Sequence, residues 1–137
     1  MTLRSGLPSL HGYAIMLVED NPETAELVTL TLRAAGAVVY AAQRVQHART
    51  MLASIRPHVI VSDLALPEED GIAFAAWVRA QPVERGGGVA MIAYTAHDAY
   101  FHRAVAPGKG FAAIVKKPSD PRYLCDVVAD VLRGPRR

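Results

Sequence analysis

Five side chains in this chain could do chemistry together: Glu19, Asp20, Asp63, Thr95 and Lys117. Each stands at or just past the end of a short strand-like run: Ile15-Met16-Leu17-Val18, Val59-Ile60-Val61, Val89–Tyr94 and Ala112–Lys116. Three carboxylates held close repel one another unless something neutralises them. Oxygen-rich, thiolate-free surroundings suit a hard divalent cation such as Mg²⁺, which takes one or two carboxylates and keeps waters and phosphate oxygens in its shell. That chemistry suits phosphoryl transfer, where positioning and charge neutralisation supply most of the catalysis. A carboxylate can itself be the nucleophile and form an aspartyl phosphate. Taken singly, each residue has a plainer role. An Asp after a strand is commonly a turn former or helix cap, a Thr caps the next helix, and a Lys is a solvated surface charge. The weight lies in the whole set recurring at the ends of four different runs.

The elements that must position this set alternate. Ile15–Val18 is too short for a helix and fits a strand buried on both faces. Asn21-Pro22 reads as an N-cap followed by proline at the first helical position, with Glu23 and Glu26 in the first turns, where the helix dipole favours anions. Ala25, Val28, Leu32 and Ala35 recur at helical spacing before Gly36 supplies a stop. The cycle repeats: strand Ala37–Ala42 and helix Val45–Ile55, then Val59–Val61, the loop Leu64–Asp70 and helix Gly71–Ala80. After the flexible turn Gly86-Gly87-Gly88 comes strand Val89–Tyr94, and Asp98 opens a weaker helix that must stop by Pro107-Gly108. Strand Ala112–Lys116 follows, then Lys117-Pro118, and Ser119 or Asp120 caps a last helix from Pro121 with Leu124, Val128 and Val131 inward. Five strand–helix units predict an α/β domain with a doubly wound parallel sheet and helices on both faces. In such sheets function collects beyond the carboxyl ends of the strands, where the five residues lie.

The chain has 137 residues, 51% hydrophobic and 20% charged, which excludes disorder and fits one domain with a real core. Residues 1–12 read as a loosely ordered leader, 13–133 as the domain and 134–137 as a basic tail. A net charge of +2 is too near balance to imply direct nucleic-acid binding. The single Cys125 excludes an intramolecular disulfide and a cysteine-only zinc site; it reads as a buried structural thiol in a reducing cytosol. No apolar run approaches the roughly 18–20 residues of a membrane span, and the N-terminus lacks a signal-peptide pattern, so a cytoplasmic location is expected.

Val18-Glu19-Asp20-Asn21, Asp63-Leu64-Ala65-Leu66-Pro67 with Asp70-Gly71, Tyr94-Thr95-Ala96 and Lys117-Pro118 resemble the receiver domain of two-component response regulators, over roughly Tyr13 to Arg133. The resemblance implies a flavodoxin-like five-stranded parallel sheet in the order 2-1-3-4-5, for which a chemotaxis receiver is a known example. It implies that Asp63 is the phosphoacceptor, taking phosphate from a histidine kinase or phosphotransfer protein in a phosphorelay. Mg²⁺ would be held by Glu19, Asp20, Asp63 and the backbone carbonyl of Ala65. Thr95 would hydrogen-bond a phosphoryl oxygen. Lys117 would pair with another, or with Asp63 before phosphorylation, and the Lys117–Pro118 bond would be cis. It also implies a self-phosphorylating and slowly self-dephosphorylating switch rather than a metabolic enzyme. A downstream protein would bind the face formed by the helix from Asp98, strand Ala112–Lys116 and the last helix.

Some positions depart from the family pattern. Ile114 stands where an aromatic residue is usual, so any response is expected to run through Thr95, Ala96-His97 and the short helix from Asp98. Tyr94 reads as a sheet-packing residue on the opposite side of its strand from Thr95. Ala65 and His97 border the path of an attacking water in the family; His97 either impedes that water, orients it, or is a surface residue without a role. Of Tyr100 and Phe101, one is expected in the core and the other as a partner contact. The stretch Val83–Gly88 resembles receivers fused to hybrid histidine kinases. Alternatives are a degenerate receiver acting as a phosphorylation-independent interaction module, or a receiver excised from a hybrid kinase. A haloacid-dehalogenase-like phosphohydrolase would want an acid where Ala65 stands. A flavodoxin-like cofactor binder would want a phosphate loop where Glu19-Asp20 would repel one.

Overall fold

The computed structural model describes residues 6–96, 104 and 110–133. Strands β1 (Ala14–Val18), β2 (Val38–Ala42), β3 (Val59–Ser62), β4 (Ala90–Thr95) and β5 (Ala113–Lys116) form one parallel sheet in the order β2-β1-β3-β4-β5. Helices α1 (Pro22–Ala34), α2 (Val45–Leu52), α3 (Gly71–Arg79) and α4 (Pro121–Arg133) cover it, with a 3₁₀ turn at Val83–Arg85. The expected doubly wound architecture and strand order are those observed.

The two faces follow from the strand period of two. Ile15, Leu17, Val59, Val61, Ile92, Tyr94 and Val115 face one way and bury Val28 and Leu32 of α1 and Leu124, Cys125 and Val128 of α4. Met16, Val18, Ile60 and Met91 face the other way and bury Ala48 and Leu52 of α2 and Phe74 and Val78 of α3. Strands buried on both sides need continuous apolar runs, which is why β1 and β3 carry no polar residue before Ser62.

Helix entry is chemically specified. Asn21 Oδ1 accepts from the Thr24 amide at 2.9 Å, and Pro22 opens α1. Asp70 Oδ1 caps α3 through the Ala73 amide at 2.7 Å. Of the two candidates for the last helix, Asp120 accepts from the Arg122 amide at 2.9 Å.

Three local readings differ from expectation. Helix α2 ends at Leu52 rather than Ile55; the next residues form turns, and Arg56 donates to the Leu52 and Ile55 carbonyls. The glycine turn is preceded by the unexpected 3₁₀ turn at Val83–Arg85, whose apolar residue is fully outward and gives no periodic signal. Within the segment read as a leader, Leu10 is wholly buried in the α1 side of the core, and its amide bonds the Ala35 carbonyl at 2.7 Å. A single apolar residue has no period to betray it. Arg133 Nη2 reaches back to the Ser9 carbonyl at 3.3 Å. Residues 97–103 and 105–109, and with them the expected helix from Asp98 and the roles of His97, Tyr100 and Phe101, lie outside the described residues. Ala104 is helical and buried in a cluster with Leu64, Ile72 and Ala93, and Ile114 packs against that cluster.

Candidate functional site

In this strand order the chain leaves β1 toward β2 on one side and reaches β3 on the other. The crevice at the switch point therefore opens between the carboxyl ends of β1 and β3. The ladder carries on past both strands: Val18 pairs Ser62, and the Asp63 amide donates to the Val18 carbonyl at 2.9 Å. The Glu19 amide is likewise held by the Ala42 carbonyl at 2.9 Å. Sheet hydrogen bonds thus deliver Glu19 and Asp63 side by side. Lys117 arrives from β5, its amide bonding the Thr95 carbonyl at 2.8 Å ahead of the cis Lys117–Pro118 bond.

The side chains then interlock. Lys117 Nζ donates to Glu19 Oε1 at 2.6 Å and to Asp63 Oδ2 at 3.1 Å. Each carboxylate gives its second oxygen to a backbone amide: Glu19 Oε2 accepts from Asn21 N at 3.1 Å, and Asp63 Oδ1 from Ala65 N at 3.1 Å. Glu19 is 1% exposed and Asp63 6%, so the two carboxylates and the ammonium interact with little water between them, and Thr95 is fully buried. Carboxylate oxygens of Glu19, Asp20 and Asp63 lie within 4.8 Å of one another. Burial above all, with the Asp63 charge added, pushes the Glu19 carboxyl above its usual range, and the bonds from Lys117 and Asn21 only partly pull it back. For Lys117 burial would lower the pKa, but the Glu19 bond and the two carboxylate charges outweigh it and leave the ammonium above its ordinary value. Lys116 is exposed. An all-oxygen cluster of three carboxylates, with one ammonium opposing them, fits a hard divalent cation and not a soft one.

The sheet brings Glu19, Asp20, Asp63 and Lys117 together, and Thr95 ends β4 beside them. Three contributors escaped the sequence reading. Two are the Asn21 and Ala65 amides, which any residue could supply. The third is Tyr94, whose ring lies 4.9 Å from Lys117 Nζ. Its signal was present in the register: Tyr94 pairs Val115, so Lys117, two residues on, leaves the sheet on the Tyr94 face. Tyr94 does pack on the sheet as expected, and it carries Lys117 as well.

The loop after Asp63 is strapped to α2. Arg44 Nη2 pairs Glu68 Oε1 at 2.7 Å in the open, and Arg49 Nη2 pairs the half-buried Glu69 Oε2 at 2.5 Å while its guanidinium stacks 5.2 Å from the Trp77 ring. At the loop's far end Gly71 packs so tightly that a Cβ would press into the Asp63 carbonyl and lie 2.8 Å from Leu64 Cα.

A family model described as the response regulator receiver domain matches residues 15–129. The chain belongs to that family. Among its relatives, an uncharacterized 14.6 kDa protein in the sodA1 3′ region of Leptolyngbya boryana is 35% identical over 114 residues, covering 83% of this chain and 86% of that protein. The transcriptional regulatory protein GltR of Pseudomonas aeruginosa is 30% identical over 125 residues, covering 91% of this chain and 51% of GltR, so this receiver spans about half the length of that relative. The signal receiver domain of a signal transduction histidine kinase from Syntrophus aciditrophicus superposes with a TM-score of 0.79 at 28% identity, covering 92% of this chain and 94% of that one. The acidic cluster of this receiver domain fits the family's Mg²⁺-dependent phosphoacceptor site. No helix among the described residues is long and apolar enough to cross a membrane. The Cys125 thiol is buried, and burial, with Asp126 and Asp120 nearby, pushes it up to about 11, which leaves it inert.

Proposed function

We propose that this receiver domain takes a phosphoryl group onto Asp63 from the phosphohistidine of a histidine kinase or phosphotransfer protein. The observation that carries this is the Asp63 carboxylate, 6% exposed, joined to Lys117 at 3.1 Å inside a cluster of three carboxylates. An Asp63 oxygen attacks phosphorus, the P–N bond to the donor imidazole breaks, and the leaving nitrogen takes a proton. The product is an aspartyl phosphate, a mixed anhydride. Mg²⁺ held by Glu19, Asp20, Asp63 and the Ala65 carbonyl would screen the charge on the incoming phosphoryl oxygens. Lys117 steadies the carboxylate before transfer and a phosphoryl oxygen after it, and Thr95 donates its hydroxyl to another. Hydrolysis by water resets the domain, which makes it a switch. A cytoplasmic location follows from the kinase partner. The downstream protein would read the face to which β5 and α4 contribute.

Intact mass after incubation with acetyl phosphate and Mg²⁺ tests the assignment. One phosphoryl group should be gained, EDTA should block the gain, and Asp63→Asn should abolish it. An Asp63→Asn protein that gains the same mass at an unchanged rate refutes Asp63 as acceptor.

A further inference from the structure

Tyr94 has a place in the site that its bulk in the core does not require. It is 4% exposed and belongs to the core cluster shared with Leu17, Val115 and Leu124, so its ring has no room to swing. The Lys117 ammonium stands 4.9 Å from the ring centroid, within the range where the negative face of an aromatic quadrupole attracts a cation. The same ammonium donates to Glu19 and Asp63 on its other side.

A lysine here has two tasks that conflict. It must stand at a fixed point beside Asp63, yet its four-carbon stem loses substantial rotamer entropy when ordered. It must also not be captured wholly by Glu19, whose bond, at 2.6 Å, is shorter than the 3.1 Å bond to Asp63. A fixed, uncharged, polarised surface under the ammonium resolves both. It favours the cation at that point without adding another anion to compete with the phosphoryl group. A smaller aliphatic residue would pack against the same core neighbours with no such preference for charge. It is the face of the Tyr94 ring that the ammonium meets.

We infer that Tyr94 is a positioning residue for phosphoryl transfer, its ring face seating the Lys117 ammonium beside Asp63. This rests on the assignment of Asp63 and Lys117 above, and the test separates the two.

Four proteins are compared in the acetyl phosphate assay: wild type, Tyr94→Phe, Tyr94→Leu, and a protein with a ring-fluorinated phenylalanine at position 94. Tyr94→Phe keeps the π-face and should match wild type within about twofold. Tyr94→Leu should slow phosphorylation roughly five- to tenfold, the scale of a partly desolvated cation–π contact. Ring fluorination keeps the shape and drains the face, so its rate should fall toward that of the leucine variant; a packing role alone would leave it with phenylalanine. In a Lys117→Met background Tyr94→Leu should add nothing. Independently of any phosphate, NMR should find the Lys117 ε-methylene protons shifted upfield by the ring in wild type and Tyr94→Phe, and not in Tyr94→Leu. Wild-type rates in the leucine or the fluorinated protein, or Lys117 resonances indifferent to position 94, overturn the inference. If the wild type itself takes no phosphate, the assignment of Asp63 fails, and the NMR comparison still decides whether Tyr94 seats Lys117.

Discussion

Replacing Lys117 by methionine keeps the length of the stem and removes the charge. Two buried carboxylates then lose their shared cation. At an effective dielectric near 20, a unit pair at the 2.6 Å of the Glu19 bond is worth about 6 kcal/mol. The protein need not lose that much, because Glu19 can take up a proton instead. An unfolded-chain glutamate titrates near 4.5, so protonating it at pH 7 costs about 1.4 kcal/mol per pH unit, at most about 3.4 kcal/mol. That is less than the lost attraction, so protonation wins and sets the ceiling. At pH 5.5 the same ceiling falls to about 1.4 kcal/mol. The direction follows from linkage. Folding already raises the Glu19 pKa, so its neutral form contributes stability as pH falls toward 4.5, and the variant's Glu19, raised further, gains more than the wild type's. Urea unfolding should therefore find Lys117→Met less stable by about 3 kcal/mol at pH 7, with the deficit shrinking by up to about 2 kcal/mol at pH 5.5. A deficit equal at both pH values, or none at pH 7, would show that Lys117 does not offset a buried Glu19 charge.

Lys116→Ala, at an exposed position of β5, should leave the acetyl phosphate reaction within about twofold of wild type, whereas Lys117→Ala slows it at least tenfold; equal effects would remove the basis for choosing Lys117. Gly71→Ala forces a methyl group into the backbone beside Asp63, and thermal unfolding should record a loss of about 1–3 kcal/mol together with slower phosphorylation. Leu10→Ala should cost about 2–3 kcal/mol by urea unfolding, with phosphorylation unchanged in the folded fraction; a cost below about 0.5 kcal/mol would mean that the segment before β1 is not part of the core.

The sheet order and the residues that meet at its switch point were legible because each rests on a strong local signal. Apolar runs of three to six residues end in a charged or hydroxyl residue, and Asn21-Pro22 states where α1 starts. The amide contacts of Asn21 and Ala65 were not legible, since a backbone donor has no side-chain identity to read. Leu10 was missed because one apolar residue has no period. Tyr94 was read by strand alternation alone, which sets it opposite Thr95; only the β4–β5 register brings it beneath Lys117. The straps from Arg44 and Arg49 to Glu68 and Glu69 join residues 24 and 20 positions apart by their tips, beyond what any periodicity encodes.

The bond from Arg133 to the Ser9 carbonyl makes neighbours of the two ends of the domain. A few residues of flexible linker would span them, since an extended chain covers about 3.3–3.6 Å per residue. The domain is thus suited to circular permutation. Joining the ends and opening the chain at Gly88, where an added Cβ meets open space, would leave every strand of the sheet and the whole carboxylate cluster intact. For the same reason a host protein could receive the domain within a single surface loop, entering and leaving through one point before the amino end of β1, whereas the switch-point crevice lies at its carboxyl end.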